Sequence, residues 1–104
     1  MQDSARHDWA LAISYNAMLG GGLSLMAKAG YWPSSDAHHV AVVAYCAHVM
    51  AEPATSHLAK LFNRYRLKRH DVVYGEAGSV GREEAALSIR YAGEFLAVVK
   101  TKLH

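Results

Sequence analysis

Residues 82–99 read REEAALSIRYAGEFLAVV. Ala85, Ile89, Ala92, Leu96 and Val99 recur there at steps of four, three, four and three, and Leu103 continues the series. Such steps place side chains on one side of a 3.6-residue helix, and the pattern is that of a bundle seam. Arg90 and Glu94 are spaced to pair across one turn. Glu83 and Glu84 suit the positive start of a helix, and Lys100 and Lys102 its negative end. Ser79, in the loop GEAGSVG of residues 75–81, is the expected N-cap.

Three more periodic segments lie upstream. The first is expected from about Ser4 to Ala29, capped by Asp3 or Ser4 and stopped by Gly30. It carries two apolar stripes. One holds Trp9, Ile13, Asn16, Leu19 or Gly20, Leu23 and Met26, and the other Leu11, Tyr15, Met18, Gly22 and Leu25. Two stripes predict two covered faces, one against the other helices and one against a partner subunit. Gly20, Gly21 and Gly22 oppose this helix unless packing repays them, so they mark a kink or a close backbone approach. The second helix is expected over Ala37 to Met50, capped by Asp36, with Val40, Val43, Ala47 and Met50 facing inward and Val42, Cys46 and Val49 widening the stripe. Glu52-Pro53 ends it. The third starts near Thr55 or Ser56 and runs to about Tyr74, with Leu58, Phe62, Tyr65 and Val72 on its apolar face and Leu61 beside them. The fold class is therefore all-α, a four-helix up-and-down bundle with room for one extra short turn, in a single domain over residues 1–104.

Composition narrows the function. Apolar residues make up 52% and charged ones 19%, which places the chain among globular rather than disordered proteins. The net charge of +2 is too small to steer anions, so any such preference is local. Lys60, Arg64, Arg66, Lys68 and Arg69 form that local cluster, with no acid among them. One cysteine, Cys46, excludes an internal disulfide framework and reads as a small core residue. The start MQDSARHDW has no signal-peptide pattern, and the expected compartment is the cytoplasm. Trp9 to Ala27 is uncharged over nineteen residues, long enough for a bilayer, but its polar residues and glycines favour a helix buried on more than one side, so no membrane is expected. No two histidines are three or four apart, so neither a helical zinc site nor any cofactor is expected.

On a helical wheel Arg69 falls in the middle of the apolar stripe of the third helix, which predicts a half-buried guanidinium held by an acid, Asn16 or backbone carbonyls. Asn63, Arg66, His70 and Tyr74 form the neighbouring row. An imidazole moves protons near neutral pH, an arginine holds a phosphate, and a tyrosine or asparagine orients the group, which is what RNA cleavage without a metal requires. Basic residues near a helix end also arise simply because the dipole favours them. Tyr31 and Trp32 read as a plug between helices, with base stacking as the alternative.

RYRLKRHDVVY of residues 64–74, after the helix start SHLAKLF of residues 56–62, resembles the end of the third helix in HEPN domains. Arg66, Arg69, His70 and Tyr74 follow that family's R-x-x-R-N-x-x-x-Y frame with His70 in the asparagine position, and Arg64, five residues and His70 follow its Arg-to-His frame. SYNAMLGGGLSLMAKAGYWPS of residues 14–34 is similar to the first-helix stretch of the same group. The resemblance implies RNA or nucleotide binding at the basic end of the third helix. In catalytic members it implies metal-independent RNA cleavage, often as the toxin of a toxin–antitoxin pair, with an active site built across a dimer. On this reading Arg66, His70 and Arg64 are the catalytic candidates, and Arg69, Asn63, Tyr74 and Lys68 bind substrate. The expected partners are a second copy, through the first helix, and an antitoxin or nucleotidyltransferase. Silent members of the family serve as interaction modules, which is the alternative reading.

Overall fold

The computed structural model describes residues 2–33, 38–73 and 80–104, and the side chains of residues 6–33, 38–68 and 80–104. Four helices make up the fold: α1 (Gln2–Lys28), α2 (His38–Val49), α3 (Ser56–Val73) and α4 (Arg82–Leu103). Among the described residues no further helix or strand occurs, and one extra turn precedes α3, where the N–H groups of Thr55 and Ser56 donate to the Glu52 carbonyl. Helix α1 begins before its expected caps at Asp3 or Ser4. It ends as its sequence dictates. Gly30 takes φ +89, Tyr31 N–H donates to the Met26 carbonyl and Gly30 N–H to that of Ala27, so the last carbonyls are satisfied by a left-handed glycine turn. Helix α4 is capped at Gly81, two residues later than Ser79 predicts, through extended backbone and without a side-chain hydrogen bond. Ser79 itself, Asp36 and the side chain of Val72 lie outside the described residues.

The glycine triplet does not break α1, which is helical throughout. Its members have separate roles. A Cβ on Gly22 would stand 2.5 Å from Cγ1 of Val42 and 2.9 Å from Sγ of Cys46, and one on Gly21 would stand 2.9 Å from Cδ2 of Leu96. These two absent side chains let α2 and α4 close onto α1. Gly20 faces open space. Tyr15, fully buried one to two turns earlier, stacks against Phe62 of α3 and shares a 2.8 Å hydrogen bond with Nδ1 of His39. Phe62 meets Phe95 of α4 edge to face, with ring centroids 5.0 Å apart. The core is thus strung on the second stripe of α1. Leu11, Tyr15, Met18, Gly22 and Leu25 are all buried.

Helix directions depart from the expected up-and-down order. Ser14 lies against Ser88, Gly21 against Leu96 and Val99, and Lys28 Nζ donates to the Leu103 carbonyl, so α1 and α4 advance together. Tyr15 meets His39 while Tyr31 meets Tyr45, so α2 also runs with α1. Helix α3 alone runs against them, with Arg64 opposite Glu84 and His57 opposite Glu94. Nine residues separate Lys28 from His38, enough to reach about 30 Å and so to permit this sense. The contacts of Tyr15 with His39 and of Gly22 with Val42 select it.

Two stripes are rotated relative to their sequence reading. On α4 the buried residues are Ala85, Ser88, Ala92, Phe95 and Val99, whereas Ile89 and Leu96 of the expected seam are 59% and 37% exposed. Phe95, the bulkiest residue, turns inward to meet Phe62, and Ser88 follows because its hydroxyl donates to its own Ala85 carbonyl. On α2 the core takes Val42, Val43 and Cys46, with Met50 just past its end, and Val40 and Ala47 are exposed, because the hollow at Gly22 receives Val42 and Cys46. On α1, Trp9 and Ile13 of the other stripe are exposed too. Tyr31 and Trp32 are also mostly exposed, so they are not a plug between helices. Arg6–Lys28 is long and apolar enough by length and composition to cross a membrane, and 44% of its most apolar window is buried in the bundle.

Two outcomes follow for stability. In urea melts of dilute protein, Gly20→Ala should stabilise by up to about 1 kcal/mol through helix propensity. Gly22→Ala should destabilise, because overpacking costs about 1–3 kcal/mol. Shifts of the same sign would contradict the packing described. Burial also pushes the Cys46 thiol up to about 12. Its protonated form is the folded one, so this contribution is complete below the unfolded thiol pKa and is lost as pH climbs from there toward 12. The wild type should therefore lose more stability between about pH 9 and 11 than Cys46→Ala does, as read by melts at each pH.

Candidate nucleic-acid interface

The basic end of α3 is divided between two grooves. Asn63 and Arg66 face α2, and Arg64 and Lys68 face α4. The division follows from the helix itself, since residues two apart point about 200° away from each other.

On the α4 side, Arg64 Nη2 lies 3.3 Å from Glu84 Oε2 and Lys68 Nζ 3.7 Å from Glu84 Oε1. One partly buried carboxylate thus holds both cations. The groove there, about 720 Å³, is also lined by His57, Tyr65 and Tyr91. Tyr65 is buried, and burial first, then the negative charge of Glu84, raise its phenol above its ordinary range. It is a core residue that stays protonated, as the apolar stripe implies. His57 stacks edge-on against Tyr91 and lies 4.0 Å from Glu94. Sequence reading did not single it out, because no basic cluster surrounds it.

On the α2 side the groove is about 400 Å³, and its floor is apolar: Val40, Val43, Ala44, Ala47 and Met50. Lys60, Asn63 and Arg66 stand along one wall. The Asn63 Oδ1 accepts from Arg66 Nε at 3.2 Å and from Nη2 at 3.1 Å. A neutral partner fixes the guanidinium without cancelling its charge, and among the described residues the Nη1 amino group donates to none. Among the described residues neither Arg66 nor Lys60 forms an ion pair. From sequence, Lys60 belonged to the basic cluster but not to the site candidates, and the valines of the floor read as core. The signal for the floor was present, since α2 carries more apolar residues than one stripe can bury.

Helical backbone continues through position 70, one turn beyond Arg66. The side chains of Arg69 and His70, and all of Tyr74, lie outside the described residues. Asn16, a proposed partner for Arg69, is exposed on α1. Among the described residues no group of three His, Cys, Asp or Glu side chains is placed to hold a metal ion. Chemically, the α2 groove offers an apolar bed for a flat ring, flanked by cations for an anionic group. Comparison with protein families, with curated proteins and with solved structures finds no match.

Proposed function

We propose that this domain binds RNA or a nucleotide in the α2–α3 groove, at the basic end of α3, and cleaves RNA there without a metal. The observation that carries the reading is the state of Arg66. Two of the cluster's cations are spent on Glu84, whereas Arg66 is oriented by neutral Asn63 at the rim of an apolar groove. An arginine held this way suits a phosphate, which accepts paired N–H donors. The apolar floor suits the face of a base, and Lys60 extends the cationic wall along the strand. His70, one helical turn beyond Arg66, is the proposed acid or base. The 2′-hydroxyl attacks the adjacent phosphorus, its proton passes to a base, and the 5′-oxygen leaves with a proton, so that a cyclic phosphate remains. This is the chemistry that the HEPN resemblance of residues 64–74 implies.

The test compares variants on unstructured RNA in EDTA. Arg66→Ala should weaken binding and reduce the salt slope by about 0.7 for one lost phosphate contact to a single strand. Arg64→Ala should change binding much less, because Glu84 already holds that charge. His70→Ala should spare binding and cut the cleavage rate by about 10² to 10⁴. Equal cleavage by wild type and His70→Ala, with folding checked in parallel, would end the nuclease reading. Equal binding by wild type and Arg66→Ala would end the groove assignment.

A further inference from the structure

The face shared by α1 and α4, on the opposite side of the bundle from the α2–α3 groove, is apolar and exposed. Trp9 and Ile13 stand out from α1, and Ile89 and Leu96 from α4, around a hollow of about 510 Å³. Two glycines sit on the same face, Gly20 in α1 and Gly93 in α4. Each is in a helix interior, and a Cβ at either would meet nothing within 4 Å. Among the described residues of one copy nothing explains why these two positions lack side chains, whereas Gly21 and Gly22 have neighbours that do.

We propose that this face is a two-fold interface with a second copy of the chain, α1 packing antiparallel on α1 and α4 antiparallel on α4. The register comes from the positions of large and small residues. In α1, Ile13 pairs with Gly20 and Trp9 with Ser24 about one midpoint, between residues 16 and 17. In α4, Ile89 pairs with Gly93 and Leu96 with Ala86 about one midpoint, at residue 91. A single two-fold axis serves both helices only if these midpoints lie level. They do: the pairs joining α1 to α4, Ser14 to Ser88 and Lys28 to Leu103, are 74 and 75 residues apart, and the midpoints are separated by the same interval. Every large side chain therefore lands on a small residue of the other copy.

The size also fits. Two adjacent helices over the roughly four turns from Trp9 to Ser24 present a face of about 20 by 24 Å, and interdigitating side chains bury more than this flat area, which brings it toward the ~800 Å² that each partner of a stable complex buries. Arg6, Arg82 and Lys100 are exposed at the ends of the face, where solvent and salt screen them. The interface does not depend on the nucleic-acid reading: each copy keeps its own α2–α3 groove away from it, which departs from the cross-dimer site that the HEPN resemblance implies.

Sedimentation equilibrium of the full chain tests the proposal. The wild type should be dimeric in the micromolar range, more tightly at higher salt. Gly20→Leu and Gly93→Leu should each weaken the dimer at least about tenfold. Because both positions are open within one copy, the same variants should leave the urea midpoint of dilute monomer unchanged or raised. Ile13→Glu should also give folded monomer. A wild type that stays monomeric at about 300 µM would overturn the proposal, and so would leucine variants that dimerise as tightly as the wild type.

Discussion

The close contact at Gly21 and Gly22 is the constraint on which the other packing depends. Without side chains there, α2 and α4 approach α1 on two sides at once. Val42 and Cys46 fill one hollow, and Leu96 and Val99 lie over the other. That fixes which face of α2 is inward, and so leaves Val40 and Ala47 outside as the floor of a groove. It also holds α3 against α1 through Phe62, which touches Tyr15 and Phe95. Helix-interior glycines cost stability in isolation. Here the burial of Val42, Cys46 and the aromatic cluster outweighs that cost, since a buried large side chain contributes about 1.5–3 kcal/mol.

The same geometry sorts the charges of α3. Because α3 lies between α2 and α4, its basic residues have two places to go. Those facing α4 find Glu84 in the first turn of that helix. Those facing α2 find a short helix without Asp or Glu, and Arg66 settles on Asn63 instead. Exposed ion pairs such as that of Arg64 add little stability. Their consequence is to subtract two cations from the surface. The cationic wall that remains lies over apolar residues.

Much of this was legible in the sequence. The steps of three and four in residues 82–103 and the stop at Gly30 set the four helices close to their observed limits. Of the two stripes of α1, the second is the core face along its length, whereas the first is exposed at Trp9 and Ile13 and returns to the core at Met26. The wheel of α3 put Asn63 and Arg66 on one row and Arg64 on another. Rotation of α4 was not legible, because Ile89 and Leu96 match the seam spacing as well as Ser88 and Phe95 do. Only the fit of Phe95 to Phe62 decides between them, and that contact joins residues thirty-three apart in sequence. Helix direction was hidden for a similar reason. A nine-residue linker permits either sense, and the choice rests on Tyr15 meeting His39 and Gly22 meeting Val42. The groove floor escaped notice because valine on a helix reads as core until its neighbours are known.

The central claim is that ligand recognition lies between α2 and α3. Its most direct test is a titration of isotope-labelled protein with a short unstructured RNA, followed through backbone amide resonances at low salt. The largest shifts should cluster on Val40, Ala44, Ala47, Lys60, Asn63 and Arg66. Shifts centred instead on His57, Arg64 and Tyr91, or no saturable shifts at all, would contradict it.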